Sequence, residues 1–524
     1  MKKIPEALWI YAGALLFFLL TLAENFSGPH DSIHYLNCII DGHPLANQHH
    51  LIYKYVVYGW LHIVQALLPS VKDFVIVESF TAIWGAGSAT VIYLFFRNRF
   101  SISVLPSLLA LATVLFSYGI WFYSTNIEVY APPLCLVLLC LYLLTGKNKK
   151  AGTWWIIIAL HILSILFHQV NILFTPVILF ALWRDQDRSA FRSWFLRYAM
   201  AGLVFVGGAY FVMGWVVEKQ NSFPKWKRWV EGYTAENTYW KPLSAQTPVQ
   251  VAYGYGHAFI GGHYIFSFPP VKEAINKSLS SHSIGDELFI ARNVSSGKAS
   301  ILVGLTLLLG AGMLFLLVRF LRKFRSYRQQ FGILIDLLLL TWILYTGFFL
   351  FWIPEILEFW LLQTVLLWLL LLGTFLSTPL QSGLLRIGMP LVLASCLFII
   401  NYFGSIKWMQ DVKNDWYYDK VQRIQQFAGE KDLVLFRDGW IITDFMKYFS
   451  KVPYLDVQQA DTARTMVDSR ILSAQQNGGK LFLLPESNSK YLGSSGAYMD
   501  SIRNVFQGRL KLVHPKDPEI WVVE

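Results

Sequence analysis

Stretches of about twenty apolar residues recur along this chain, and no other feature limits its fold as strongly. A helix of that length crosses the ~30 Å hydrocarbon layer of a bilayer. The runs cover roughly 7–23, 73–96, 103–123, 128–146, 153–169, 171–183, 196–217, 300–320, 331–352, 357–377 and 386–404. Of the 524 residues, 55% are apolar and only 15% charged. A soluble protein carries about 25% charged residues, so a simple soluble enzyme is excluded. The mean hydropathy of +0.44 agrees. The expected fold is an α-helical polytopic membrane protein with about eleven transmembrane helices.

The net charge of +11 does not point to nucleic acid. Lys and Arg stand in short clusters between apolar runs, where they act as orientation signals. One further stretch, 51–69, decides the sidedness. If it does not cross, Arg97/Arg99, Lys147/Lys149/Lys150, Arg184/Arg188/Arg192, Arg319 to Arg328 and Arg386 all fall on the cytoplasmic side. If it crosses, every cluster flips outside, against the basic bias of cytoplasmic loops. Lys54, His62 and Gln65 among its aromatics suit a helix lying at the membrane interface. The N-terminus is then cytoplasmic, as a retained signal-anchor, and the C-terminus external, in a bacterial inner membrane. The run 171–183 is short and contains Pro176, so it is expected to be tilted or broken. The four cysteines, Cys38, Cys135, Cys140 and Cys396, suggest neither a disulfide framework nor a metal site.

Two polar pieces accompany the transmembrane domain, 1–404. The external loop 218–299 is rich in Trp, Tyr and His and is expected to pack on the membrane face. From 405 to 524 the pattern reads as an external α/β domain. Its elements are expected as helix 411–428, strand 432–437, helix 440–450, strand 453–457, helix 461–476, strand 480–485, helix 497–507 and strand 518–523. It has no Gly-rich phosphate loop.

Under this topology, ionisable residues gather at one outer rim. The first external loop, within 24–72, holds Asp31 and Asp41 with His30, His34, His43, His49 and His50. Ser124-Thr-Asn-Ile-Glu128 opens a span, His168 closes one, and the 352–360 turn brings Glu355 and Glu358. Each alone has a structural reading. Asp31 suits a helix cap, Glu128 a helix start, and His168 a hydrogen-bonded core residue. Four turns delivering carboxylates and imidazoles to one face favour a functional site, because such groups are costly beside lipid. Imidazole with carboxylate also admits a divalent cation, although the spacing fits no zinc motif.

Three of these elements resemble the GT-C superfamily of polytopic glycosyltransferases, in the branch of O-mannosyltransferase-like and uncharacterised bacterial membrane proteins. They are Asp31 with the His-rich segment before His49-His-Leu-Ile-Tyr53, the element Glu128-Val-Tyr-Ala131, and Leu163-Ser-Ile-Leu-Phe-His168. The turn into Glu358-Phe-Trp360 is loosely similar. The likeness covers roughly 1–185 and 330–375. Asn47-Gln-His-His50 stands where that branch often has a His-Pro-Pro-Gly-Tyr segment.

The resemblance implies transfer of a sugar from a polyprenyl-phosphate donor to an acceptor hydroxyl, with inversion, on the external face. Asp31 would be the base. His49, His50, Lys54 and His168 would stabilise the leaving phosphate. Glu128 would hold the acceptor, orient a His or help bind a metal. His34 and Glu358 complete the substrate-binding set. The partners expected are the lipid-linked sugar, a glycan, lipid or protein acceptor, and membrane lipid. Two other readings are a flippase for a lipid-linked glycan, which would carry charges along a mid-membrane pathway, and a non-catalytic envelope assembly subunit. A ligase of the same donor class differs only in its product.

Overall fold

The computed structural model describes residues 5–29, 31–147, 149–235, 239–271, 273, 285–378, 383–436, 440–457, 464–484, 502, 504–515 and 518–524. It divides into two compact units, 1–23 with 38–410, and 24–37 with 411–524.

The first unit is helical. Five helices are long and apolar enough to cross a membrane: Asp73–Arg99, Arg188–Val217, Ser296–Arg322, Leu357–Ser377 and Leu384–Met409. A sixth span arises if Phe324–Phe331 and Ile333–Phe349 count together across their 116° bend. Four more apolar helices, Glu6–Leu19, Val104–Leu115, Ala131–Leu144 and Ala151–Phe167, are shorter than a full crossing. The described helices therefore do not give eleven spans of crossing length.

The shortfall has local causes. The 103–123 run breaks at Ser117, whose extended backbone (φ −62°, ψ 130°) separates Val104–Leu115 from Tyr118–Tyr123. The Trp368 indole donates to the Ser117 hydroxyl at 2.9 Å and fixes that break. The 331–352 run bends at Gly332, which takes φ +50°, a region that glycine enters without steric cost. The 171–183 run opens as the 3-10 turn Gln169–Phe174 and continues as Thr175–Asp185, with Pro176 in its first turn, where proline is tolerated. The 51–69 stretch forms the helix Tyr53–Leu67.

A single hydrophobic core joins these helices, with Trp121, Trp360 and Trp368 among its largest fully buried side chains. Indole nitrogens buried there need partners. Trp121 donates to Thr21 Oγ1 at 2.9 Å, and Trp360 to the Pro354 carbonyl at 2.9 Å. The 218–299 loop folds into Phe223–Glu231, Thr247–Phe259 and Gly285–Ala291, so it is no plain connector.

The second unit carries a five-stranded sheet: β1 (Leu433–Phe436), β2 (Tyr454–Asp456), β3 (Leu481–Leu484), β4 (Leu510–His514) and β5 (Ile520–Val523), ordered β2-β1-β3-β5-β4. β1 pairs in parallel with β2 and β3, with helices Trp440–Phe449 and Arg464–Gln476 between them in sequence. β5 runs antiparallel to β3 and β4. β1 and β3 are buried on both faces and accordingly read as continuous apolar runs. β4, Leu-Lys-Leu-Val-His, was not expected from the pattern; it is a half-exposed edge strand. Most of the expected 497–507 helix lies outside the described residues.

The 24–37 segment joins this unit through Asp415. That carboxylate is fully buried. It accepts the backbone N–H of Phe26 at 2.7 Å, Ser27 at 2.9 Å and Tyr418 at 2.9 Å. One side chain thus caps the Trp416–Phe427 helix and anchors a strand of chain some 390 residues earlier.

Candidate functional site

In the first unit the segment before the Tyr53–Leu67 helix is laced to the end of the Ala151–Phe167 helix. Gln169 N–H donates to the His49 carbonyl at 2.9 Å, and Ile52 N–H to the Leu166 carbonyl at 3.2 Å. Asn47 Oδ1 accepts the N–H of His49 at 2.8 Å and of His50 at 3.3 Å, a local turn for which Asn is suited. The turn brings His50 against His168. The His50 and His168 rings meet edge to face, with centroids 4.6 Å apart.

The 218–299 loop closes over the same segment. Gly232 has φ +50°, and a Cβ there would collide with the side chains of His49 and Gln48. Gln169 donates to the Val230 carbonyl of the loop at 3.3 Å, and Tyr210 of the preceding Arg188–Val217 helix donates to the Gln48 carbonyl at 2.8 Å. Enclosure sets the charge of these imidazoles. Burial pushes His49 down to about 4, with a hydrogen bond to Gln169 opposing, and holds His50 well below its ordinary value. Both are neutral hydrogen-bonding groups at pH 7. Lys54 is the cation of this segment; it is buried and donates to the Pro44 carbonyl at 2.5 Å.

His168 ends its helix in an extended conformation (φ −153°, ψ 114°), and its Nδ1 accepts the Val170 N–H at 3.3 Å. An accepting Nδ1 leaves the proton on Nε2. The Tyr130 ring lies 5.2 Å from the His168 ring, and its hydroxyl donates to Glu358 Oε1 at 2.7 Å. Tyr123 donates to Glu358 Oε2 at 3.0 Å. Both carboxylate oxygens of Glu358 are therefore held by tyrosines from the turn around Glu128. Glu128 itself is 2% exposed and accepts the N–H of Val129 at 3.1 Å. Its charge, after burial, helps raise the Tyr53 hydroxyl, which places it near the start of the Tyr53–Leu67 helix. Glu355 pairs with Lys241 of the external loop.

A cavity opens beside this cluster, bounded by the Ala131–Leu144, Ile333–Phe349 and Leu361–Ser377 helices. Tyr130, His168, Asn171, Glu358 and Gln363 give it a polar part; Leu134, Val137, Phe349 and Phe359 line the rest.

Six of the expected residues thus fall in the first unit: Glu128, His49, His50, Lys54, His168 and Glu358. Asp31 and His34 fall in the second. There Asp31 Oδ2 accepts the Tyr35 hydroxyl at 3.1 Å, and His34 Nδ1 lies 3.0 Å from Asp444 Oδ2. His30 lies outside the described residues. Tyr123, Asn171 and Gln363 escaped the sequence reading, because a polar residue inside an apolar run shows its role only through its neighbours. Among the described residues, no group of three or more His, Cys, Asp or Glu is placed to hold a metal ion.

No known protein family matches the chain, and no curated protein does. Among solved structures, the crystal structure of ArnT from Cupriavidus metallidurans bound to undecaprenyl phosphate is similar at 14% identity. The alignment covers 98% of this chain and 97% of that one, with a TM-score of 0.49. The same protein in the apo state gives 13% identity, the same coverage and a TM-score of 0.48.

Proposed function

We propose that the chain is a membrane glycosyltransferase that moves a sugar from a polyprenyl-phosphate donor to an acceptor hydroxyl on the external face of a bacterial inner membrane. One observation carries this reading. A buried carboxylate, three imidazoles and a buried lysine share one end of an apolar helical unit, beside a cavity that is polar in one part and apolar in the rest. Such an amphipathic setting suits a substrate with a hydrophilic head and a lipid tail.

In the reaction, the acceptor oxygen bonds to the anomeric carbon as the bond from that carbon to the phosphate oxygen breaks. The phosphate leaves with the electron pair, and the acceptor proton passes to a carboxylate. The resemblance read from the sequence assigns that proton to Asp31, which lies in the second unit; within the first unit Glu128 is a buried carboxylate. Lys54, with the hydrogen-bonding His49 and His50, balances the charge that grows on the phosphate. Glu128 and Glu358 position the reacting groups, and no step is routed through a metal. The finer placement in the O-mannosyltransferase-like branch and the count of eleven crossings belong to the same proposal, as does the assignment of 405–524 to an external domain.

The test is transfer from a polyprenyl-phosphate sugar by the full-length protein in nanodiscs. Asp31→Asn and Glu128→Gln each lower turnover at least about a hundredfold, as expected for loss of a base or a positioning carboxylate. Full activity in both variants removes the assignment. Vectorial movement of the lipid-linked sugar without any new glycosidic bond would favour the flippase.

A further inference from the structure

Gln363 stands two residues into the Leu361–Ser377 helix, inside the first unit and against the cavity described above. Its side chain is fully buried, and neither the amide oxygen nor the amide nitrogen has a hydrogen-bond partner among the described residues. A buried primary amide rarely goes unpaired, because desolvation of its donors and acceptor is not returned. The Tyr130, Tyr345 and Asn171 side chains of the cavity are already engaged. Tyr130 donates to Glu358, Tyr345 donates to Asn171 Oδ1 at 2.9 Å, and Asn171 Nδ2 donates to the Ser164 and His168 carbonyls.

From this geometry we infer that the cavity receives the hydroxyl-bearing edge of the transferred neutral sugar, and that Gln363 reads its hydroxyls. The inference rests on the glycosyltransferase reading and deepens it. A primary amide presents one acceptor and two donors side by side, the complement of a vicinal diol. Phe349 and Phe359, stacked on each other with planes parallel to within 6° and centroids 4.7 Å apart, also line the cavity, and the outer face of such a pair can carry the C–H face of a pyranose. The charge of the lining excludes the phosphate. Among the described residues no Lys or Arg borders the cavity, and Glu358, held by two hydroxyl donors, would repel an anion. The phosphate therefore belongs with Lys54, and the sugar with Gln363. A lipid tail in this cavity would leave the amide unpaired.

The experiment compares full-length wild type with Gln363→Leu in nanodiscs against two lipids, undecaprenyl phosphate and undecaprenyl phosphate bearing one neutral hexose. A third arm measures the thermal shift produced by millimolar methyl glucoside. Wild type is expected to bind the hexose-bearing lipid at least tenfold tighter than the bare lipid and to be stabilised by the glucoside. Gln363→Leu is expected to lose both responses, to keep its affinity for undecaprenyl phosphate within twofold, and to melt no lower than wild type. A variant that keeps the hexose preference overturns the inference and leaves water as the partner of the amide. So does one that loses both lipids equally. If wild type binds neither lipid but responds to glucoside through Gln363, the sugar pocket stands and the lipid-phosphate reading falls. If wild type shows no response in any arm, both fall.

Discussion

The Tyr130 hydroxyl donates to Glu358 Oε1 at 2.7 Å, across 228 residues of sequence. This bond joins the turn that opens the Ala131–Leu144 helix to the turn that opens the Leu361–Ser377 helix, and sets the polar edge of the cavity between them. Tyr123 completes the grip on the same carboxylate. The arrangement gives each oxygen of a half-buried carboxylate a donor, which is the condition under which such a charge persists in apolar surroundings.

Removing one of those donors tests the arrangement. Tyr130→Phe leaves Glu358 with a single hydroxyl and is expected to lower stability by about 1.5–3 kcal/mol, the range for a hydrogen bond to a charged group. Glu358→Gln, which keeps the shape and loses the charge, is expected to cost less in melting temperature than in transfer activity. Thermal unfolding in detergent beside a transfer assay reads both; equal stability of Tyr130→Phe and wild type would refute the grip.

Acidification is expected to weaken the first unit. His49 sits at about 4 in the folded chain because of burial, against 6.5 when exposed. Between those values the unfolded chain binds the proton and the folded chain does not, so stability falls as pH falls from about 6.5 to about 4. Melting temperature followed from pH 7.5 to 4 should decline, and His49→Gln should flatten part of that decline. An unchanged pH profile in the variant would mean that His49 is not the group responsible.

Gly232→Ala should disturb the histidine cluster from outside it. The backbone there has φ +50° and ψ −129°, which a Cβ opposes at a cost of about 1–3 kcal/mol. The added methyl also meets His49 and Gln48. The expected outcome is a lower melting temperature with turnover reduced at least about tenfold, a fall of about 1.4 kcal/mol in transition-state stabilisation. Gly256→Ala, where a methyl meets open space, serves as the control and should be near wild type.

In the second unit, Asp415→Ala removes a helix cap and the acceptor for Phe26 and Ser27 at once. A cap alone contributes about 0.5–2 kcal/mol, and the charged bonds add to it. Limited proteolysis should cut within 24–37 far faster than in wild type. Protection equal to wild type would show that the segment is held by other contacts.

Sidedness can be read by labelling single cysteines, since all four native thiols are buried and give little background. Asp411→Cys is expected to react with an impermeant reagent in intact cells. Lys150→Cys and Arg325→Cys, both exposed, should react only after permeabilisation. Labelling of Lys150→Cys from outside would reverse the orientation.

Sequence and tertiary structure divided this protein between them along a physical line. Apolar periodicity is a local property, so the helical character of the first unit, the strands Leu433–Phe436 and Leu481–Leu484 and the helices between them could be read directly from residue order. The apolar runs did not reveal where a helix stops. Ser117, His168 and Gly332 end or bend helices through backbone torsions that packing selects, so the expected spans exceed those of crossing length. The same limit applies to polar groups. Glu128, His168 and Glu358 stood out because charge is costly beside lipid. Gln363 and Tyr123 gained meaning only from partners hundreds of residues away, or from the lack of one. Composition fixes which segments leave water; only three-dimensional packing decides which of their few polar atoms face each other.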